Sequence, residues 1–146
     1  MNDDFTLHAS LAFRIHRLQR MLRRQFLNSA HRAGFSLTPE QFFLLTKLVK
    51  QDGQSQSELA DDALQDKPNL TRMIADLERH GLIARRGDPD DGRRKLVHLT
   101  AAGRNIHQRF VKGVVLPTRE ALFSHLTPSQ LAHTHEVFDL LEAKLS

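Results

Sequence analysis

The 146-residue chain contains no cysteine and no tryptophan. Without thiols it can form no disulfide, no thiolate zinc site, no cysteine nucleophile and no thiol-based redox sensor. Long apolar runs are missing as well. Nowhere does the chain approach the roughly 18 consecutive apolar residues of a spanning helix, and "MNDDFTLHAS" has neither the basic nor the apolar region of a secretory signal. A cytoplasmic protein with no membrane partner is expected. Catalytic signatures are absent too. Nine histidines and many hydroxyls are present, but no Gly-x-Ser-x-Gly, His-Glu-x-x-His or phosphate-binding glycine loop assembles them, so no enzyme and no cofactor is read here.

What is present is unevenly placed charge. Lysine and arginine number 21 against 17 acids, a net +4, yet residues 5–37 hold Arg14, Arg17, Arg20, Arg23, Arg24 and Arg32 with no acid at all. The remainder is slightly acidic. A basic balance suits a polyanion partner without identifying one.

Periodicity organises the chain. Leu7, Leu11, Ile15, Leu18, Leu22 and Phe26 recur every three or four residues and predict an amphipathic helix from Leu7 to about Ala30. Three later segments open with a hydroxyl followed three residues on by Glu or Gln: Thr38 with Gln41, Ser55 with Glu58, and Thr127 with Gln130. In such a capping box each side chain satisfies an amide that the first helical turn leaves unpaired, and Pro39 and Pro128 stand where no N–H is needed. Helices are therefore expected at 39–50, from 56 to about Leu64, from Lys67 or Pro68 to His80 and Gly81, and from 128 onward. Between Gly81 and Thr100 the period changes. "LIARR" and "KLVHL" read as strands flanking the turn "GDPDDG". Thr100 caps a further helix, in which Gly113 and Pro117 should produce a kink or an interruption.

The fold class expected is mainly α with a small β-wing, one domain over 1–146. Residues 38–100 read as a winged helix-turn-helix. The helices at 5–33 and 101–146 carry apolar stripes that they cannot bury among themselves, so a homodimer is expected to cover them.

At this point the chain resembles the multiple antibiotic resistance regulator (MarR) family of bacterial transcription factors. The resemblance rests on "LTPEQFFLL" at 37–45, "SQSELA" at 55–60, "NLTRMIADLERHGLIAR" at 69–85 and "DGRRKLVHLT" at 91–100 followed by "AAG". Asp91, Arg93, Leu99 and Thr100 match the family's wing signature. The resemblance implies an obligate homodimer on a pseudo-palindromic double-stranded DNA, recognition helices in major grooves, wings in minor grooves, and release by a small ligand that is often anionic and aromatic. It also implies a regulator rather than an enzyme, and more readily a repressor than an activator, since bound protein alone can block polymerase.

Named residues then take expected roles. On the helix at 67–80, Leu70, Met73, Ile74 and Leu77 should face inward and leave Pro68, Arg72, Ala75 and Arg79 outward. Helix-turn-helix proteins read bases with the first residues of this helix, so Lys67, Pro68, Asn69, Thr71 and Arg72 are the candidates. Arg72 would pair with guanine, Asn69 with adenine, Pro68 with a thymine methyl, and Thr71 and Lys67 with phosphate. In the wing, Arg93 is the minor-groove probe, Asp91 the carboxylate that holds its guanidinium extended, and Arg94 and Lys95 phosphate contacts, while Asp88 and Asp90 shape the turn. His16, Arg17, Phe35, Phe42 and Phe43 are candidate lining for a ligand cavity. The absence of tryptophan counts against those pockets of the family that use one.

On the residues alone two other readings stay open. His135 and Asp139, four apart on one helix, could share a metal in a metal-responsive regulator, whereas His133 and His135 lie about 200° apart and cannot. A winged helix could also serve protein contact without DNA, though that use needs no arginine on a wing tip.

Overall fold

The computed structural model describes residue 6 and residues 10–60 and 66–146. In chain order these form α1 (Leu11–Arg32), α2 (Pro39–Lys50), β1 (Gln54–Ser55), α3 (Gln56–Ala60), α4 (Lys67–Arg79), β2 (Ile83–Gly87), β3 (Lys95–Leu99), α5 (Ala101–Phe110), a π-helical turn at Val111–Val115, α6 (Leu116–Phe123) and α7 (Pro128–Leu145). The architecture is mainly α with a small antiparallel sheet, as expected. The expected first turn of α1 at Leu7 and the expected end of α3 at Leu64 lie outside the described residues.

Local chemistry sets the helix starts. All three capping boxes are closed: Gln41 N–H donates to Thr38 Oγ1 at 3.2 Å and Thr38 N–H returns to Gln41 Oε1 at 3.0 Å. Ser55 and Glu58 do the same at 3.2 and 2.6 Å, and Thr127 and Gln130 at 3.1 and 2.9 Å. Asp66 caps α4 by accepting from Asn69 N–H at 2.9 Å. α4 ends at Gly81, whose φ of 72° lets Leu82 N–H reach back to Leu77 O at 3.0 Å.

The wing carries one strand more than expected. β2 and β3 pair antiparallel from Ile83↔Leu99 to Gly87↔Lys95, and β1 adds to the other edge of β3 through Gln54↔Val97 and Ser55↔Leu96. Two residues are too few to show an alternating pattern, and β1 runs directly into α3.

Between α5 and α6 the helix is not broken. The turn at 111–115 widens to π geometry, with Leu116 N–H donating to Val111 O, and Pro117 falls in the first turn of α6. A π turn shifts the hydrogen-bond register, so the missing N–H of proline is absorbed without ending the helix.

One core lies mostly within the winged block and extends into the flanking helices. Leu45, Leu48, Leu70, Ile74, Leu77, Ile83 and Val97 are fully buried, together with Phe110 and Val114 beyond the wing. The inward positions expected on α4 are buried at Leu70, Ile74 and Leu77 and half-buried at Met73. Phe42 of α2 stacks on His107 with ring centroids 5.1 Å apart and an interplanar angle of 6°, and contacts Phe110 at 5.1 Å. Phe26 of α1 meets Phe110 at 5.2 Å.

Two positions make this packing testable. A Cβ on Gly103 would lie 2.0 Å from Leu82 O, so α5 seats on the start of the wing only because this residue has no side chain. We expect Gly103→Ala to lower stability by about 1–3 kcal/mol in urea unfolding; an unchanged midpoint would show that the close approach is not needed. His107 is buried, with Nε2 at 2.9 Å from Thr46 Oγ1, whose proton goes to Phe42 O at 2.9 Å. The imidazole is thus the donor. Burial first, and Arg104 second, push its pKa below the ordinary 6.5. Folded protein therefore binds fewer protons than unfolded protein below pH 6.5, so this contribution to stability is present above that pH and is lost as pH falls through the depressed pKa. The drop in urea midpoint from about pH 7.5 to about pH 5.5 should shrink in His107→Gln, and an equal drop in both proteins would assign it to other groups.

Candidate nucleic-acid interface

α4 is fixed from behind and open in front. Its apolar side is buried, Gln41 Nε2 donates to Asp76 Oδ2 at 2.8 Å, and Gln56 Nε2 donates to Thr71 Oγ1 at 2.6 Å, so α2 and α3 both hold it by polar contacts. Lys67, Pro68, Asn69, Thr71 and Arg72 are all exposed on its first two turns. The structure therefore brings the whole expected set onto one surface.

Two members of the set are already engaged. Arg72 Nη2 donates to Asn69 Oδ1, which makes the two side chains one unit and removes the carbonyl Asn69 would need as an independent reader of adenine. The Thr71 hydroxyl donates to Lys67 O at 2.9 Å while accepting from Gln56, so it bridges α3 and α4. Gln56 was not among the expected residues. Its partner is fifteen residues away, and no local pattern signals the pair.

The wing tip corrects one expectation about Asp91. Its Oδ1 accepts from the main-chain N–H of Arg93 at 3.0 Å, and its carbonyl accepts from Arg94 N–H at 3.0 Å. The carboxylate thus folds the turn under Arg93 instead of gripping the guanidinium, because a short side chain two residues back reaches the backbone first. Asp88 acts likewise, accepting from Asp90 N–H at 2.9 Å, whereas Asp90 contributes its amide and not its carboxylate. The Arg93 guanidinium has no polar partner among the described residues and is exposed.

Arg94 also differs from expectation. It lies 3.7 Å from Glu58 Oε2 and 3.9 Å from Asp88 Oδ2, tying the wing to α3. Hydrogen bonds from Ser55, main chain before side chain, and then Arg94 hold the Glu58 carboxyl below the usual range. Arg85 pairs with Glu78 and fastens β2 to α4. Asp52 secures the far end of β3, accepting from Leu99 N–H at 2.7 Å and lying 3.3 Å from His98 Nδ1. Burial raises the Asp52 pKa, and these two partners more than offset it. After this sorting Lys67, Arg72, Arg86, Arg93 and Lys95 are the exposed cations of α4 and the wing with no acidic partner among the described residues. Arg86 is an addition: "LIARR" showed a strand but not which arginine would be tied down.

The five residues expected to line one cavity do not share one. Phe42 belongs to the buried core, and Phe35 packs edge-on against Phe110 at 5.1 Å with the Arg109 guanidinium 5.6 Å above it. His16 and Arg17 line an open trough along α1. Only Phe43 borders an apolar groove, about 470 Å³ between α1, α2 and α7, with Leu22, Phe26 and Phe138. Phe42 and Phe43, adjacent on α2, project about 100° apart with ring centroids 6.0 Å from each other, Phe42 into the core and Phe43 to the groove. Among the described residues no three His, Asp or Glu side chains are placed to hold a metal ion, and no helix is long and apolar enough to cross a membrane.

Comparison with known proteins agrees with this arrangement. The model of the MarR family matches residues 37–95, from the lead into α2 through the wing to its second strand. Transcriptional regulator HosA of Escherichia coli O111:H- is 32% identical over 91 residues, 62% of this chain and 67% of that protein. A mutant MarR from E. coli complexed with operator DNA superimposes with TM-score 0.84 at 24% identity, covering 95% of this chain and 98% of that one. BpsR of Bordetella bronchiseptica, whose DNA binding is regulated by 6-hydroxynicotinic acid, gives TM-score 0.85 at 21% identity over 94% of this chain and 96% of that one. The winged helix-turn-helix, its capped α4 and its arginine-tipped wing are those of a transcriptional regulator, and the chain belongs to the MarR family.

Proposed function

We propose that this regulator is a homodimeric repressor that binds a pseudo-palindromic DNA duplex and is released by a small anionic aromatic ligand. The observation that carries the reading is the set of five exposed cations, Lys67 and Arg72 on α4 and Arg86, Arg93 and Lys95 on the wing, that have no acidic partner among the described residues while Arg85 and Arg94 are paired internally. At the wing tip Asp88 and Asp91 are turned to main-chain amides, so the neighbouring acids leave the Arg93 guanidinium available to phosphate.

In the proposed complex residues 38–100 form the DNA-binding region. α4 lies in the major groove with Arg72, oriented by Asn69, reading a guanine, and Pro68 and Lys67 against neighbouring base and phosphate. Arg93 enters the minor groove, whose negative potential attracts an extended guanidinium. Residues 5–33 and 101–146 dimerise. Leu11 and Leu18 on α1, Leu116 and Phe123 on α6, and Val137, Leu140 and Leu145 on α7 are exposed, and a second copy is the economical cover for so much apolar surface. The groove beside Phe43 is the ligand cavity, and regulation of BpsR by a small aromatic acid supports a similar class here. Simple occlusion of polymerase makes repression the default mode, and the cytoplasm the compartment.

Selection of duplexes from a random pool at roughly physiological salt tests the whole reading. Enrichment of an inverted repeat with half-sites about one helical turn apart is expected; no enrichment would refute it. On the selected duplex, Arg93→Ala should weaken binding and reduce the slope of log K against log salt by about 1 while leaving the dimer intact. Unchanged affinity would remove the wing from the interface. Arg72→Ala should cost about 1–3 kcal/mol and relax preference at one base position, with Asn69→Ala relaxing the same position and the double variant losing little more than Arg72→Ala alone. Additive losses at two different positions would mean that Asn69 reads a base of its own.

A further inference from the structure

The unpaired charges of the chain are sorted by sign. Among the described residues only Asp90, Glu120, Glu136, Asp139 and Glu142 have a carboxylate that takes part in no hydrogen bond or ion pair, and four of these five lie on α6 and α7. α1 carries no acid, and its Arg17, Arg20 and Arg24 are exposed with no polar partner among the described residues. Arg23, beside them, is paired with Glu40 of α2. Three arginines spaced by three and four residues repel one another along one flank of a helix, and so do three acids spaced by threes.

Within one chain the two sets do not meet. At about 100° per residue the arginines project from the flank of α1 opposite Ile15, Leu22 and Phe26, which line the apolar groove. α7 stands on that apolar side, where its Phe138 borders the groove, so the body of α1, roughly 10–12 Å across, separates the acids from the arginines. Their dimensions nevertheless match. At about 1.5 Å per residue, Arg17 to Arg24 covers about 10.5 Å of helix and Glu136 to Glu142 about 9 Å. Each row also has apolar surface beside it. Exposed Met21 and Leu27 border the trough that holds the arginines, and Leu140, 68% exposed, lies one turn on from Glu136. α7 has no buried residue at all, so its own chain covers none of this.

We infer that the arginine row of α1 is the docking surface for the acidic row of α7 from a second copy of this chain, the contact occurring twice about the two-fold axis of the dimer. This rests on the homodimeric reading and adds what that reading leaves open: which faces meet, and what selects the partner. Nucleic acid fits the row less well. A phosphate backbone would neutralise the arginines but leave Met21 and Leu27 uncovered and the acids of α7 unpaired. A second copy supplies opposite charge, equal in number and similar in spacing, with apolar surface alongside. Exposed ion pairs contribute little affinity each; their effect is on register and on exclusion, since a related chain with lysine or arginine on that face of its last helix would be repelled. The rows therefore act as a pairing code laid over an interface whose affinity comes from apolar burial.

Charge exchange on the full chain, followed by sedimentation equilibrium, tests this. One variant combines Arg17→Glu, Arg20→Glu and Arg24→Glu; a second combines Glu136→Arg, Asp139→Arg and Glu142→Arg; circular dichroism compares their helix content with the parent's. Each variant alone sets like charges against each other at both contacts and should dimerise about tenfold or more weakly than the parent. Mixed in equal amounts, the two should form a heterodimer in which both contacts again join opposite charges. A chain carrying all six substitutions should self-associate nearly as the parent does. Merely structural damage would not be repaired by mixing. Variants that dimerise like the parent would overturn the pairing and leave the homodimer standing, as would weakened variants that neither the mixture nor the six-substitution chain restores. Arginine variants that stay dimeric but bind the selected duplex more weakly would overturn it in favour of nucleic acid. A parent that is monomeric would overturn the homodimer itself, and this pairing with it.

Discussion

The contact on which the rest of this structure depends is the stack of Phe42 on His107, closed by Phe110. Phe42 belongs to α2, the first helix of the winged block, while His107 and Phe110 belong to α5, the first helix after the wing. Each aromatic pair is worth about 0.5–1.5 kcal/mol beyond its buried area, but position matters more than energy. These rings set where the winged block sits against α1 and α5. With Phe26 of α1 also on Phe110, three helices from both parts of the chain meet at one ring. Gly103, four residues before His107, lets α5 approach close enough for the stack to form.

The second organising constraint is the use of carboxylates as internal fittings. Asp66, Glu58, Asp52, Asp88 and Asp91 each accept a main-chain amide, fixing a helix start, a strand end or a turn. Glu78 and Glu58 each also take an arginine of the wing and lock it to α4 or α3. The dense acidic cluster at the hairpin tip is therefore a backbone device. A turn tightened by two aspartates presents the next side chain, Arg93, from a backbone with little freedom, which lowers the ordering entropy that a flexible loop would surrender on binding.

What could be read from the sequence was whatever depends on residues within about four positions of each other. Capping boxes, the glycine at the end of α4, the buried side of α4 and the two long wing strands all arise from such local chemistry, and each stands where it was expected. What could not be read were choices among distant partners. Nothing local tells that Arg94 would find Glu58 thirty-six residues back while Arg93 finds no partner among the described residues, or that Phe42 would be core and Phe43 groove. β1 escaped for another reason, since its two residues take their extended form only from the edge of β3. The candidate surface on α4 was legible because helical periodicity divides inside from outside; the division of labour within it was not, because Arg72 and Asn69 hydrogen-bond to each other and Thr71 to Gln56.

α2 is where these constraints converge. One end of this twelve-residue helix is occupied by the Thr38 and Gln41 box, the Glu40 pair with α1 and the Gln41 contact with α4; one side stacks on α5 through Phe42, and Phe43 borders the groove. A close-packed element with contacts on so many sides does not bend; it shifts as a unit or stays. A small displacement at Glu40 would therefore reach Asp76 and with it the orientation of Arg72, without any chain of soft intermediates. On the proposed reading, that rigidity would let the groove beside α1 act on the α4 surface proposed to read DNA: both adjoin the first turn of one helix, and coupling would need only that turn to have two positions.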